Sequence, residues 1–270
     1  MNKVLIIINV HNGANYIENA IESVLNQSHP TDLLIIDNAS SDGTDVIVKR
    51  YIKNEINYTR INNKITLGAA RNLALNHVNN YDYFGFLDAD DSIIENNYIK
   101  NIVDLFMIND VVFIYSNAII YKDGKEIGKF SKYSDKKITK KDAIKRYDIC
   151  FSSAIFSSKI FNDNKIRFNE DLSICEDTDI ILSILSYGQG IYINEGYIRF
   201  NISASSNLLN NINKYAEELL HISKVNKLGF NERYSLNLVL VKTVIRNIFN
   251  IGLCKSMIIL MTVLKNTFYV

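Results

Sequence analysis

The chain has 270 residues, 47% of them hydrophobic and 22% charged, with one proline and eleven glycines. That balance excludes a disordered or low-complexity chain and leaves room for one large α/β domain or a domain with a small appendage. Cys150, Cys175 and Cys254 are odd in number and far apart. They exclude a disulfide framework and a CxxC zinc site and fit a reducing compartment.

The net charge of +1 is unevenly spread. Residues 214–270 hold eight Lys/Arg against three Glu, a net of +5, and the other residues hold 22 basic against 26 acidic groups, a net of −4. An acidic body argues against nucleic-acid binding. The apolar run Val4–Ile8 is too short for a signal-peptide core, and no uninterrupted apolar stretch reaches about 18 residues, the length of a membrane span.

Short apolar runs alternate with helical patterns through the first half. Val4–Ile8 predicts a buried strand. Tyr16, Ile17, Ala20, Ile21, Val24 and Leu25 recur at helical spacing. Leu33–Ile36, Tyr58–Ile61, Phe84–Leu87 and Val111–Tyr115 read as strands, with helices near Asp45–Ile52, Ala69–His77 and Asn96–Ile108 between them. This alternation predicts βαβ units and a mostly parallel central sheet with helices on both faces, whose ligands bind where strands end. Farther on, Asp123-Gly124 marks a hairpin and the polar stretch Lys132–Lys141 an exposed loop. A helix is expected over Glu176–Tyr187, short strands at Ile191–Ile193 and Tyr197–Asn201, and helices from Asn213 onward broken at Gly229 and Gly252.

Four segments carry chemistry. Asp88-Ala89-Asp90-Asp91 closes a strand. Three carboxylates within four residues suit a hard cation such as Mg²⁺ or Mn²⁺ bridging a diphosphate, or else form a solvated acidic turn. Asp37-Asn38 closes another strand before Ser40-Ser41-Asp42-Gly43-Thr44, acceptors for a base or ribose or simply a turn with a helix cap. Gly68-Ala69-Ala70-Arg71-Asn72 puts a cation near a helix start, where the helix dipole disfavours it. A diphosphate or a neighbouring carboxylate would answer it. Cys175-Glu176-Asp177-Thr178-Asp179 opens an amphipathic helix with more acid than capping requires, and one carboxylate there can take a proton from a sugar hydroxyl.

Together these segments, with Asn9-Val10-His11-Asn12 after the first strand and Ile166-Arg167-Phe168-Asn169-Glu170 before Glu176-Asp177, resemble the bacterial family-2 glycosyltransferases of GT-A fold. The resemblance covers roughly residues 1–205. It implies a GT-A catalytic domain with a nucleotide-sugar half of about 1–117 and an acceptor half of about 118–205, followed by a helical region at 206–270. It also implies inverting transfer from a nucleotide-diphosphate sugar, with a UDP-sugar as the expected donor and TDP- and GDP-sugars as alternatives. The acceptor would be a glycan or lipid-linked hydroxyl in capsule, lipooligosaccharide or related polysaccharide synthesis. By the same resemblance Asn9, His11, Asp37 and Asn38 surround the nucleobase, Arg71 lies near the nucleotide, and Asp88 holds the ribose side. Asp90 binds Mn²⁺ or Mg²⁺, and Asp177 is the catalytic base with Glu176 beside it. The chain departs from the family at Asn9 and His11, where Pro and Tyr are usual, and at Asn38, where a second Asp is usual. It departs again at Asn201, where a His often stands, and imidazole is the better metal ligand.

A non-catalytic sugar-nucleotide or glycan-binding protein of the same fold is the alternative, and the presence of both Asp90 and Asp177 favours catalysis. A sugar nucleotidyltransferase would need a Gly-rich, Arg-containing phosphate loop after the first strand, where only Gly13 stands. The expected location is the cytoplasm, peripheral on the inner membrane face if the basic C-terminal helices dock there. Packing of those helices on the catalytic domain, or a homo-oligomer, is the competing reading. Lys242, Arg246 and Asn250 form a polar stripe beside apolar neighbours, and Met257–Leu264 is almost wholly apolar.

Overall fold

Ten strands form a single sheet in the computed structural model, which describes residues 2–52, 56–132, 136–146, 148–202 and 211–226, together with 228, 235, 237, 238 and 241. The strands are β1 (Val4–Val10), β2 (Thr31–Asn38), β3 (Asn57–Ile61), β4 (Tyr83–Phe86), β5 (Ser92–Ile93), β6 (Phe113–Lys122), β7 (Lys125–Lys129), β8 (Lys136–Ile138), β9 (Ala154–Ser157) and β10 (Gly190–Ile202). The helices are α1 (Ile17–Leu25), α2 (Thr44–Tyr51), α3 (Leu67–Leu75), α4 (Tyr98–Ile108), α5 (Lys140–Arg146), α6 (Ser158–Asp163), α7 (Glu176–Ile184) and α8 (Ile212–Val225).

The main strand order is β3-β2-β1-β4-β9-β6-β10-β5, with β7 on β6 and β8 on β10. The first four strands are parallel, as is the long β6–β10 ladder, and β9 enters antiparallel between β4 and β6. Tight approach of β9 to β4 requires Gly85, where a Cβ would lie 2.9 Å from the Ala154 carbonyl oxygen.

The period of two in each strand divides the core. Leu5, Ile7, Leu34, Ile36, Phe84 and Phe86 face α3 and α7, where they meet Ala70, Ala74, Ile180 and Ile181. Val4, Ile6, Ile8, Leu33 and Ile35 face the other way, toward Ile17, Ile21 and Val24 of α1 and Ile99 and Ile102 of α4. Each such side chain contributes about 1.5–3 kcal/mol by leaving water. Near-continuous apolar runs like that of β1 are what a sheet covered on both faces demands.

Three expectations need correction. Lys132–Lys141 is not simply an exposed loop: it includes β8, whose Ile138 is fully buried, and the start of α5. A lone Ile138 among Lys, Ser, Asp and Thr hid an edge strand paired to β10. The two short strands expected after residue 190 are one strand, kept continuous through irregularities near Ile193 and Gly196. Helix α3 begins at Leu67 rather than Ala69, with Thr66 accepting from the Ala69 amide at 3.2 Å, so Arg71 sits beyond the first turn and outside the reach of the dipole argument.

Part of the C-terminal helical region is described. Helix α8 buries Tyr215, Ala216, Leu219 and Ile222 in the same core that holds Ile180 and Phe86. The stripe Lys242, Arg246 and Asn250 and the run Met257–Leu264 lie outside the described residues. Among the described residues no helix is long and apolar enough to cross a membrane.

Candidate active site

The loops after β1 and β2 lie side by side because their strands are in register, Val10 beside Asp37. Asn12 takes a left-handed backbone, φ 56°, and its side chain accepts from the Ser41 amide at 2.8 Å while its own amide donates to Ser40 Oγ at 2.9 Å. Asp42 accepts from the Ala14 amide and the Thr44 hydroxyl, and Thr44 Oγ1 accepts from the Gly13 amide. Ser40, Asp42 and Thr44 are therefore fasteners between the two loops.

The four residues expected around a nucleobase separate into different environments. His11 is exposed, and its Nδ1 lies 2.8 Å from the Asn38 carbonyl oxygen. A carbonyl only accepts, so Nδ1 carries a proton. Asn38 donates to the Ile65 carbonyl and accepts from the Ile65 amide, both at 2.9 Å, which ties the segment before α3 to the end of β2. Asn9 lies at the end of β1, and neither atom of its buried amide has a hydrogen-bond partner. Asp37 is 0% exposed. Its carboxylate accepts from the Ser40 amide and the Tyr58 hydroxyl, both at 2.8 Å, with Arg60 at 3.8 Å. Asp37 is thus held by its own loop and by β3.

Arg71 is 3% exposed, with its guanidinium over the Phe151 ring at 4.6 Å and the Phe168 and Phe86 rings at 5.5 and 5.6 Å. Nη2 donates to Asp88 Oδ1 and Nη1 to Glu176 Oε1, each at 3.2 Å. The partners in this structure are thus carboxylates, one from each acidic motif. The neighbouring residues complete the junction. A Cβ on Gly68 would stand 2.9 Å from the Asn169 carbonyl oxygen, and Asn72 grips the Phe168 backbone through both its amide and its carbonyl.

The acidic turn is asymmetric. Asp88 is half-exposed and reaches Arg71. Asp91 is 2% exposed and accepts from Ser152 Oγ at 2.6 Å and the Asn201 amide at 3.0 Å. Burial, with Asp88 nearby, pushes the Asp91 carboxyl well above the usual carboxylate range. Asp90 lies between them, and burial followed by the Asp88 charge raises it to about 6. Asp91 is thus a fixture of the turn, a role that its place in the acidic run of the sequence does not distinguish from that of Asp88 or Asp90. Asn201 donates from its side chain to the Asp90 carbonyl and accepts from Arg199 Nε at 3.3 Å, so both ends of its amide are engaged by the protein. A cavity of about 700 Å³ opens beside Asp90, with Tyr16, Asn19, Glu22, Arg199 and Asn201 in its walls.

Glu176 and Asp177 open α7. Glu176 is buried, its Oε2 has no hydrogen-bond partner, and burial pushes its carboxyl up to about 7, with Arg71 opposing and Asp177 adding to the shift. Asp177 is half-buried and accepts from the Thr178 amide. A divalent cation suits Asp90: its hard oxygen is poorly solvated and crowded by Asp88, so positive charge there is favoured. Among the described residues no group of three or more His, Cys, Asp or Glu side chains is arranged as a metal cage. The remaining ligands of such a cation would come from a bound diphosphate and water.

Comparison with known proteins identifies the family and the fold. Residues 5–164 match the model of glycosyl transferase family 2. The chain is 30% identical over 208 residues to WfgD of Escherichia coli, a UDP-Glc:alpha-D-GlcNAc-diphosphoundecaprenol beta-1,3-glucosyltransferase, covering 75% of this chain and 78% of that one. It is 31% identical over 139 residues to TuaG of Bacillus subtilis, a putative teichuronic acid biosynthesis glycosyltransferase, covering 50% of this chain and about half, 54%, of the relative. The crystal structure of S. aureus TarS 1–349 with UDP-GlcNAc superposes with a TM-score of 0.77 at 17% identity, over 98% of this chain and 80% of that one, a likeness of fold. The curled α/β sheet is a GT-A fold, and the chain belongs to glycosyl transferase family 2.

Proposed function

We propose that this glycosyltransferase moves a sugar from a UDP-sugar to a hydroxyl of a glycan or lipid-linked acceptor in bacterial surface-polysaccharide synthesis, with inversion at the anomeric carbon. The observation that carries the reading is the double bridge of Arg71 to Asp88 and Glu176, because it couples the metal motif to the pair that holds the base. In a single displacement the acceptor oxygen attacks the anomeric carbon. Asp177 takes the hydroxyl proton, and the bond to the diphosphate breaks with the nucleoside diphosphate as leaving group. Asp90 would hold Mn²⁺ or Mg²⁺, which when bound offsets the charge of the leaving diphosphate. Asp88 and Arg71 would lie on the nucleotide side.

After β1, exposed His11 would stack on the nucleobase, and the unpartnered amide of Asn9 would supply a donor and an acceptor. Asp37 and Asn38 would act by shaping this wall, since both carry protein hydrogen bonds. UDP is favoured as the nucleotide by the name of WfgD and by the nucleotide sugar in the TarS complex. The relatives carry transferase names, which supports catalysis over a binding-only role. Docking on an acidic membrane surface is supported by the net +5 of residues 214–270, each basic group contributing about 1 kcal/mol near acidic lipid. A panel of UDP-, GDP- and TDP-sugars scored by nucleotide release tests the donor. Release confined to GDP- or TDP-sugars would reject the UDP assignment. Flotation with acidic liposomes at low salt tests the docking, and absence of the protein from the floated fraction would reject it.

A further inference from the structure

Helix α7 begins without a side-chain cap of its own: Cys175, at the N-cap position, offers none. The amide donors leading into it are instead met from a distant helix. Glu218 of α8, 6% exposed, accepts from the Ser173 amide and hydroxyl through Oε1 at 2.9 and 3.0 Å, and from the Ile174 and Cys175 amides through Oε2 at 2.9 Å each. One carboxylate thus holds three successive residues immediately before Glu176 and Asp177. Bonds from amides to an ionised acceptor are among the stronger ones in proteins.

A second contact lies on the other side of the acidic pair. Asn226, just past the end of α8, donates to Asp179 Oδ1 at 3.2 Å and accepts from Lys140 Nζ at 3.2 Å. Tyr215, one turn before Glu218, buries its ring beside Cys175, whose Sγ lies 3.9 Å from the Tyr215 carbonyl oxygen. Burial, with Cys175 and Asp177 nearby, keeps the Tyr215 hydroxyl protonated. Helix α8 therefore brackets Glu176-Asp177, gripping the chain at 173–175 and again at 179.

We propose that Glu218 is a positioning residue for catalysis: by fixing the backbone of 173–175 it sets where the Asp177 carboxylate stands relative to the acceptor hydroxyl. This rests on the reading of Asp177 as the base. A carboxylate placed in a first helical turn takes its direction from the backbone entering that turn, and a misplacement of about 1 Å can cost about 100-fold in rate. A cap serving stability alone would change folding and leave turnover per folded molecule intact. A positioning cap changes turnover while the donor, held by other loops, binds as before.

The test uses the full chain and the sugar nucleotide that gives the fastest nucleotide release in the donor panel. Glu218→Gln keeps the shape and removes one of the two accepting oxygens. The expected result is a fall in kcat of about tenfold or more, with donor KM and the Kd of the free nucleotide within about twofold. In an Asp177→Asn background the same change should add less than about twofold, since it acts through Asp177. Three results would overturn the proposal: unchanged kcat in folded Glu218→Gln, a loss carried wholly by donor KM, or a full additional loss in the Asp177→Asn background. If the Gln variant does not fold, Glu218→Asp carries the same test, keeping the charge but shortening its reach; wild-type kcat with native stability would overturn the proposal. Wild-type turnover in Asp177→Asn would instead defeat the base assignment itself, so the two failures are distinguishable.

Discussion

Arg71 and Glu176 stand 105 residues apart in the chain and 3.2 Å apart in space. Both are buried, and the same guanidinium reaches Asp88 with its other nitrogen. One cation thus fixes the spacing between the turn proposed for the metal and the helix start proposed for the base. A lysine could not reproduce this arrangement, because it lacks the planar fork that bridges two carboxylates and stacks on Phe151.

Arg71→Ala should therefore be costly twice. Removing one partner of a buried ion pair typically costs about 3–5 kcal/mol, because the other charge stays behind unpaired. Urea unfolding of Arg71→Ala should show a lowered midpoint with an unchanged slope, and nucleotide release should fall with it. A stability within about 0.5 kcal/mol of wild type would mean the bridge does not support the fold.

The pH dependence of stability should separate Glu176 from its neighbours. Its folded carboxyl is raised to about 7, chiefly by burial, above an ordinary value of 4.5. Between these pH values the folded state holds more protons at this position than the unfolded state, so this group's contribution to stability falls as pH rises through that window. Glu176→Gln removes the titration. The melting temperature of the variant relative to wild type should therefore rise between pH 5 and pH 8, scales set by the same shift. A difference that stays constant, or falls with pH, would show that Glu176 is ionised throughout.

Asp90→Ala should lose the metal response. With its carboxyl raised to about 6 by burial and Asp88, Asp90 is fully ionised only above that pH unless a cation binds. Mn²⁺ or Mg²⁺ binding to the nucleotide-free wild type should be weak, because Asn201 has both ends of its amide engaged, and it should strengthen as pH rises through about 6. Titration calorimetry at pH 5 and pH 7.5, with and without UDP, reads both effects. Full activity in excess chelator, or an unchanged metal response in Asp90→Ala, would contradict the assignment.

Gly68→Ala tests how closely α3 must approach the segment before α7. The added Cβ would meet the Asn169 carbonyl oxygen at 2.9 Å, a backbone atom with little room to yield. Overpacking of this kind costs about 1–3 kcal/mol, and it should appear as a lowered melting temperature with reduced turnover. A gain in stability, as helix propensity alone would predict, would show that the junction is loose.

Much of this architecture was legible in the chain. The apolar runs at Val4–Ile8 and Leu33–Ile36 are long enough to mark strands covered on both faces, and α1, α4 and α7 fell where the periodicity put them. The motifs around Asp88, Arg71 and Glu176 were readable as chemistry, and the two possible answers to the charge of Arg71 included the carboxylates it meets. What could not be read was pairing between distant segments. Nothing in Lys132–Lys141 announces that Ile138 pairs with Gly190, because edge strands can be short and rich in Lys. Nothing in α8 marks Glu218 as a cap for residues 173–175, since an acid in a polar helical sequence reads as solvated surface. Nothing near Asp37 in the chain marks its partners Tyr58 and Arg60, which come about twenty residues later on the neighbouring strand β3.

The most direct measurement of the central claim is single-turnover transfer by wild type and Asp177→Asn with the donor that the panel identifies, alongside calorimetric binding of the same nucleotide. The predicted result is a loss of transfer of about 10²–10⁴-fold in Asp177→Asn, the usual cost of removing a general base, with nucleotide affinity nearly unchanged. Transfer at the wild-type rate by a folded Asp177→Asn enzyme would contradict the assignment of the base, and with it the site built around Arg71.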